Sequence, residues 1–260
     1  MDILDRIIAQ KRIELQQRKE VISQETIESK IFERHPKRSL KEALQQSTTG
    51  IIAEFKRKSP SKGFIKEGAD VRDIVPAYTH AGAAGISILT DEHFFGGSLS
   101  DLKHARKLTD VPILRKDFII DEYELYVAKA IGADVILLIA ATLTAKQAER
   151  LAQKAHLLNL EVLLEIHNEN ELEHINEYVD LVGINNRNLK TFQVDLQASL
   201  TLAEKLPTDL VKISESGISK PETIRQFKQA GFQGFLIGEC FMTTEDPGKA
   251  LSELIANLLV

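Results

Sequence analysis

A chain of 260 residues with 43% hydrophobic, 27% charged and 6% aromatic residues has the make-up of a folded globular protein, which excludes collagenous, low-complexity and disordered classes. A formal net charge of −5 offers no electropositive field to a polyanion, so neither nucleic acid nor an anionic membrane is an expected partner. The longest unbroken apolar run, residues 135–141, falls far short of the roughly 20 residues a bilayer-spanning helix needs, and the one cysteine, Cys240, can make neither an intrachain disulfide nor a thiolate metal cage.

The first residues alternate charge with apolar side chains and lack the basic start, apolar middle and cleavage site of a secretory signal, so a cytoplasmic protein is expected. Ile3, Leu4, Ile7, Ile8 and Leu15 recur at helical spacing and predict an amphipathic helix. Residues 34–38 read as an exposed link before a second short helix over 40–46. The first helix is expected to cap one end of the domain, with a loosely docked tail as the alternative. Residues 1–50 thus form a helical extension to a single domain whose main part is 51–260.

From residue 51 onward a short apolar or β-branched run alternates with a longer amphipathic stretch, eight times over. The predicted strands are 51–56, 85–90, 112–118, 134–140, 161–166, 181–186, 210–216 and 234–240. Each is expected to lead into a helix. After the fourth, Thr144 is placed to cap, and Ala148, Leu151, Ala152, Ala155 and Leu158 recur at three and four. Gly82, Gly132 and Gly231 stand where helix ends call for a left-handed residue. Even spacing, short strands and the lack of a G-x-G-x-x-G turn favour closure over an open dinucleotide-binding sheet. Ionisable groups also gather at the C-terminal strand ends, where barrel active sites lie, and the predicted fold is a (β/α)8 TIM barrel of the α/β class.

Strand alternation puts Glu54 with Lys56, Leu114 with Lys116 and Phe118, Leu163 with Glu165, Gly183 with Asn185 and Arg187, and Ile213 with Glu215 on shared faces. If these are the inner faces, three carboxylates, two lysines and an arginine converge on one mouth. Isolated ions there would cost several kcal/mol each, so the cluster is either a ring of structural ion pairs or a site for a polar ligand. Turns bearing Gly217 and Gly238 follow the seventh and eighth strands, the loops that commonly hold a phosphate in barrels, and Lys56 with the loop 58–63 adds donors. No histidine pair has zinc spacing, and Glu165 with His167 reads as structural. A nucleophile elbow is also lacking, which leaves lysine and glutamate as acid and base.

Six strings closely resemble the indole-3-glycerol phosphate synthase family. They are Ile52-Ala-Glu-Phe-Lys-Arg-Lys-Ser-Pro-Ser-Lys-Gly63, Ile86-Ser-Ile-Leu-Thr-Asp-Glu-His-Phe-Phe-Gly-Gly-Ser98, Leu114-Arg-Lys-Asp-Phe-Ile-Ile-Asp121, Leu163-Leu-Glu-Ile-His167, Gly183-Ile-Asn-Asn-Arg187 and Ser214-Glu-Ser-Gly217. The likeness also takes in Ile3-Leu-Asp-Arg-Ile7 and Lys11-Arg12, which look like that family's extra N-terminal helix. It implies closure of 1-(2-carboxyphenylamino)-1-deoxyribulose 5-phosphate to indole-3-glycerol phosphate with loss of carbon dioxide and water, a carboxy-lyase reaction of tryptophan biosynthesis needing no metal and no organic cofactor.

The resemblance also implies roles. Lys116 is similar to the family's general acid, Glu165 to its acid-base group in dehydration, and Lys56 to a lysine that contacts the substrate, the division of acid work between the lysines being left open. Glu54, Asn185, Glu215 and Ser216 resemble its orienting polar network. Ser59 and Arg187 are similar to substrate-binding positions, Gly217 and Gly238 to phosphate contacts, and Phe95, Phe118 and Leu189 to the wall of the aromatic ring. Asn188 departs from the aspartate more usual in the family. Burial beside an apolar wall is expected to make the Lys116 ammonium a stronger acid than in water. The chain is expected to act as a monomer. The competing readings are a Schiff-base aldolase working through Lys116 or Lys56, and a sugar-phosphate-binding barrel without activity.

Overall fold

The computed structural model describes residues 2–31, 38–189 and 191–260; of the link read at 34–38, only Arg38 is among them. The eight apolar runs are the strands β1 (Ile51–Phe55), β2 (Gly85–Leu89), β3 (Ile113–Lys116), β4 (Val135–Ile139), β5 (Glu161–Ile166), β6 (Leu181–Asn185), β7 (Val211–Glu215) and β8 (Phe232–Ile237). All pair in parallel with their sequence neighbours, and β8 returns to β1, closing the barrel.

Helices α1 (Ile3–Val21), α2 (Gln24–Glu28) and α3 (Leu40–Gln46) precede the barrel; α4 (Val71–His80), α5 (Leu99–Ala105), α6 (Glu122–Ile131), α7 (Ala145–Leu157), α8 (Leu196–Ala203), α9 (Pro221–Gln229), α10 (Glu239–Met242) and α11 (Pro247–Leu259) surround it. The periodicity read in α7 is its packing face, since Ala148, Leu151, Ala152 and Ala155 are fully buried, and Thr144 caps it in a capping box with Gln147. Gly82, Gly132 and Gly231 take positive φ where helices end.

Three expectations are corrected, the first being the eighth strand, which runs Phe232–Ile237 and not 234–240, because Gly238 opens α10 there. The connection after β5 holds a six-residue 3-10 helix, Glu169–His174, instead of an α-helix. It is the shortest link between barrel strands, and Asn168, Asn170 and Asn176 are residues that favour caps and turns over a long helix. The third strand ends at Lys116, because the Asp117 side chain turns to Arg115 Nη2 (2.8 Å) and to the amide of Phe118 (2.8 Å).

Alternation divides the apolar residues into two clusters. Outward-facing side chains pack against the helices, while Ile52, Leu114, Val135, Leu163, Leu181 and Val211 fill the barrel. Each such burial is worth about 1.5–3 kcal/mol. The bottom is sealed by α3, whose Leu40 and Leu44 are buried within the inner cluster. Gly85 and Gly234 admit them, since a Cβ at Gly85 would stand 2.6 Å from Leu40 Cδ1 and one at Gly234 would stand 3.0 Å from Leu44 Cδ1. Glu161, at the start of β5, accepts the Leu40 and Lys41 amides (2.8 and 3.2 Å) and holds the helix start in place.

The first helix docks at the opposite end, over the mouth. Ile7 and Lys11 are each 3% exposed, and Lys11 Nζ lies 2.7 Å from Asp117 Oδ1 and 3.6 Å from Asp91 Oδ2. Farther along, Lys19 meets Asp121 (2.8 Å), and the Tyr123 hydroxyl donates to the Ile22 carbonyl (3.0 Å). The expected cap is therefore in place, and the loosely docked tail is not the arrangement found.

Candidate active site

The alternation that buries Ile52, Leu114, Leu163, Gly183 and Ile213 continues to the strand ends, where it turns Glu54, Lys116, Glu165, Asn185 and Glu215 inward. Lys116 Nζ donates to Glu165 Oε2 at 2.7 Å and to Glu215 Oε2 at 2.6 Å. Lys56, just past β1, donates to Glu54 Oε1 at 2.6 Å, and Asn185 Nδ2 donates to Glu165 Oε1 at 3.1 Å. The Glu54, Glu165 and Glu215 side chains are at most 4% exposed, whereas Lys56 and Lys116 keep 17% and 14%. The ammoniums can therefore reach a ligand while their counter-ions stay behind them.

Two glycines give the carboxylates their space. A Cβ on Gly183 would stand 2.2 Å from Glu215 Oε1, and one on Gly238 would stand 2.6 Å from Glu54 Oε1. Both distances are far inside van der Waals contact, so any side chain there would displace the acid.

The charges set one another. Burial pulls the Lys116 ammonium down, but Glu165 and Glu215, with Glu54 behind them, outweigh it and the net direction is up. This corrects the expectation that burial alone would make Lys116 a stronger acid. Burial pushes Glu165 up, yet Lys116 and the neighbouring His167 bring it well below the usual carboxylate range. Glu215 goes the other way: burial, with Glu165 close by, exceeds the pull of Lys116 and pushes it up to about 7. One mouth therefore holds an ionised carboxylate, a carboxyl poised near neutrality and an ammonium between them.

Above these groups lies a cavity of about 420 Å³ lined by all fourteen residues singled out from the sequence. The Phe95 and Phe118 rings stand 5.9 Å apart on one wall, tilted by 37°. Arg187 and Leu189 come from the loop after β6, where the Arg187 amide donates to Asn185 Oδ1 (3.0 Å) and its guanidinium to the Phe192 carbonyl (3.2 Å). Ser216 and Gly217 both have positive φ, 68° and 72°, which turns the loop after β7 sharply beside the cavity. Gly238 opens α10, and Ser59 is buried in a two-stranded ribbon, Lys58–Ser59 against Gly63–Phe64. Of the loop donors, Lys58 is turned to the His93 carbonyl (3.0 Å), and Lys62 pairs with Glu239 (2.5 Å). Asn188 Oδ1 accepts the Thr191 amide at 3.0 Å, an acceptor role an aspartate would fill equally well.

Some contributors went unread in the sequence. Ile3, Leu4 and Ile7 of α1 line the cavity, as does Phe192. Lys11 continues the 3, 7, 11 stripe of α1, so a lysine on an apolar helical face was the available signal. Behind Asp117 lies a buried set in which Arg115 Nη2 meets Asp117 Oδ2 (2.8 Å), Arg115 Nη1 donates to the Glu124 carbonyl (2.8 Å) and Arg115 Nε donates to Thr90 Oγ1 (3.1 Å). His167, set aside as structural, brings Nε2 to 3.2 Å from Glu165 Oε1; its spacing of two from Glu165 was the signal.

Comparison with known proteins points to one family. A family model described as indole-3-glycerol phosphate synthase matches residues 4–254. An indole-3-glycerol phosphate synthase of Bacteroides thetaiotaomicron is 57% identical over 254 residues, covering 98% of each chain. One of a Polaromonas species is 45% identical over 258 residues, covering 97% of this chain and 98% of the other. Among solved structures, the tryptophan synthase alpha subunit of Legionella pneumophila aligns with a TM-score of 0.62 at 14% identity, covering 84% of this chain and 96% of that one, a likeness of fold alone.

Proposed function

The chain belongs to the indole-3-glycerol phosphate synthase family, and on that premise we propose that it is a carboxy-lyase converting 1-(2-carboxyphenylamino)-1-deoxyribulose 5-phosphate to indole-3-glycerol phosphate. The observation that carries the reading is the Lys116 ammonium held between Glu165 and Glu215 at the floor of a cavity with an aromatic wall.

The substrate's phosphate lies against Gly217, Ser216 and Gly238 with Lys56 nearby, and its carboxyphenyl ring lies against Phe95, Phe118 and Leu189, with Arg187 and Ser59 contacting its polar groups. Clamping both ends folds a flexible chain so that the ring carbon meets the ketone. As the new carbon–carbon bond forms, the ketone oxygen becomes an alkoxide, a far stronger base than an amine, and takes a proton from Lys116 despite the raised affinity of that ammonium for its own. Loss of carbon dioxide returns its bond electrons to the ring and restores aromaticity. In the final step the hydroxyl leaves as water and the adjacent carbon loses a proton, with Glu165 as the acid-base group. Glu215, poised near neutrality, supplies the proton that restores Lys116. Glu54 and Asn185 hold Lys56 and Glu165 in place.

An ammonium bound to two carboxylates has no lone pair with which to form an imine, which argues against the aldolase alternative. Residues of α1 line the cavity together with the strand-end groups, which supports reading 1–50 and 51–260 as a single domain. Among the described residues no helix is long and apolar enough to cross a membrane, and a cytoplasmic location fits a biosynthetic role. The test is indole fluorescence from purified protein given the synthetic substrate. Appearance of the indole signal is expected. A folded protein that binds but never turns over is instead a binding barrel, and an adduct trapped on Lys116 by borohydride establishes the aldolase.

A further inference from the structure

The carboxylate assigned to dehydration is gripped from two sides, and only one of them is a lysine. Glu165 Oε2 takes Lys116, while Oε1 faces Asn185 and, at 3.2 Å, Nε2 of His167. The other ring nitrogen, Nδ1, lies 3.3 Å from Glu171 Oε2, and the same oxygen accepts the His167 amide at 2.6 Å. The His167, Glu165 and Glu171 side chains are 12%, 3% and 13% exposed. An imidazole with a carboxylate at each nitrogen is matched only when both nitrogens carry protons, because the neutral ring would set a lone pair against one of the acids.

The 3-10 connection after β5 arranges this clamp. Asn168 caps it by accepting the Asn170 amide (3.0 Å) and also donates to Glu171 Oε1 (2.8 Å), which folds Glu171 back over the strand end. The charged or polar groups facing the pair from the other elements are Lys116 on β3, Asn185 on β6 and Glu215 on β7, with Glu54 on β1 acting through Lys116. The turn 140–142, packed against both β5 and the 3-10 segment, carries no ionisable side chain.

Building on the function proposed above, we propose that His167, held by Glu171, is a positioning residue that stands as an imidazolium behind Glu165 and keeps that carboxylate ionised and oriented for its step. The direction of the charges agrees: burial pulls His167 down, but the Glu165 and Glu171 carboxylates beside its ring nitrogens bring it up to about 10. Lys116 is thereby relieved of being the sole cation for two acids, and the unequal states of Glu165 and Glu215 follow from the second cation reaching only one of them.

The test pairs kinetics with a readout independent of turnover. In wild-type protein with ¹⁵N-labelled histidine, His167 is expected to show two protonated ring nitrogens through pH 8, and Glu171→Gln should lower its titration midpoint. His167→Gln keeps a donor but removes the charge. It should lower kcat near neutrality about tenfold through lost orientation of Glu165 and leave KM within about twofold. His167→Phe should lose rate across the whole pH range, with partial recovery in the Gln variant. A neutral His167 ring at pH 7.5, or a wild-type kcat in His167→Gln, would overturn the inference. Lack of turnover by the wild-type protein would instead strike at the proposed function, and the ring's protonation would then decide the charge state of His167 alone.

Discussion

Replacing Gly183 by alanine adds one methyl group to the barrel interior at the place with least room for it. The new Cβ would stand 2.2 Å from Glu215 Oε1, 3.2 Å from its Cδ and 3.3 Å from Leu163 Cδ1. Leu163 is fully buried and has nowhere to go, so the carboxylate moves, and with it the 2.6 Å bond to Lys116. A displacement of about 1 Å in a reacting constellation costs on the order of 10²-fold in rate, and overpacking costs about 1–3 kcal/mol. In a chain of this size that corresponds to a fall in Tm of roughly 2–12 °C. Initial rates of indole formation and thermal unfolding by circular dichroism measure both effects. Gly68→Ala, where a Cβ would meet nothing within 4 Å, is the control and should change neither. A Gly183→Ala enzyme with wild-type kcat and Tm would show that Glu215 does not need its place beneath Lys116, and the steric argument would fall.

Lys116→Ala should lower kcat by at least about 10²-fold, in line with loss of a general acid, and a near-normal rate would remove it from the mechanism. Glu165→Gln should impair kcat with little change in KM; a defect confined to KM would make it a binding group. Lys11→Met breaks a buried pair with Asp117, a loss of about 3 kcal/mol, and should speed hydrogen exchange in residues 3–21 more than in the barrel strands. Uniform exchange would mean that α1 is held by other contacts. Glu124 is buried and pushed up to about 7, so its contribution to stability is complete below its ordinary value and is lost as pH rises through about 7. Glu124→Gln should therefore gain in Tm relative to wild type between pH 5 and pH 8, whereas a constant difference would contradict the raised value.

The barrel was legible because each strand repeats one physical demand: apolar residues on both faces and a helix to cover the outer one. The mouth was legible for a related reason, since a period of two carries Leu114 to Lys116, Leu163 to Glu165 and Ile213 to Glu215 with no change of face. What periodicity does not carry is proton affinity. Burial of Lys116 was foreseeable, but its net direction depends on how many carboxylates reach its nitrogen, and those come from strands far apart in the chain. Lys11 was hidden because a single lysine on an amphipathic helix reads as a solvated one until Asp117 is seen beneath it. His167 was hidden because its contacts with Glu165 and Glu171 depend on how the chain leaves β5, which periodicity does not specify.

The four interior glycines at 85, 183, 234 and 238 show how the barrel's volume is divided between sealing leucines and working acids. An engineer seeking to admit a bulkier aryl group would find no slack around the acids, where each missing methyl is already occupied by a neighbour. The adjustable boundary is the hydrocarbon side: Phe95, Phe118 and the first turns of α1. Redesign of selectivity belongs there, with the ionic floor left as it stands.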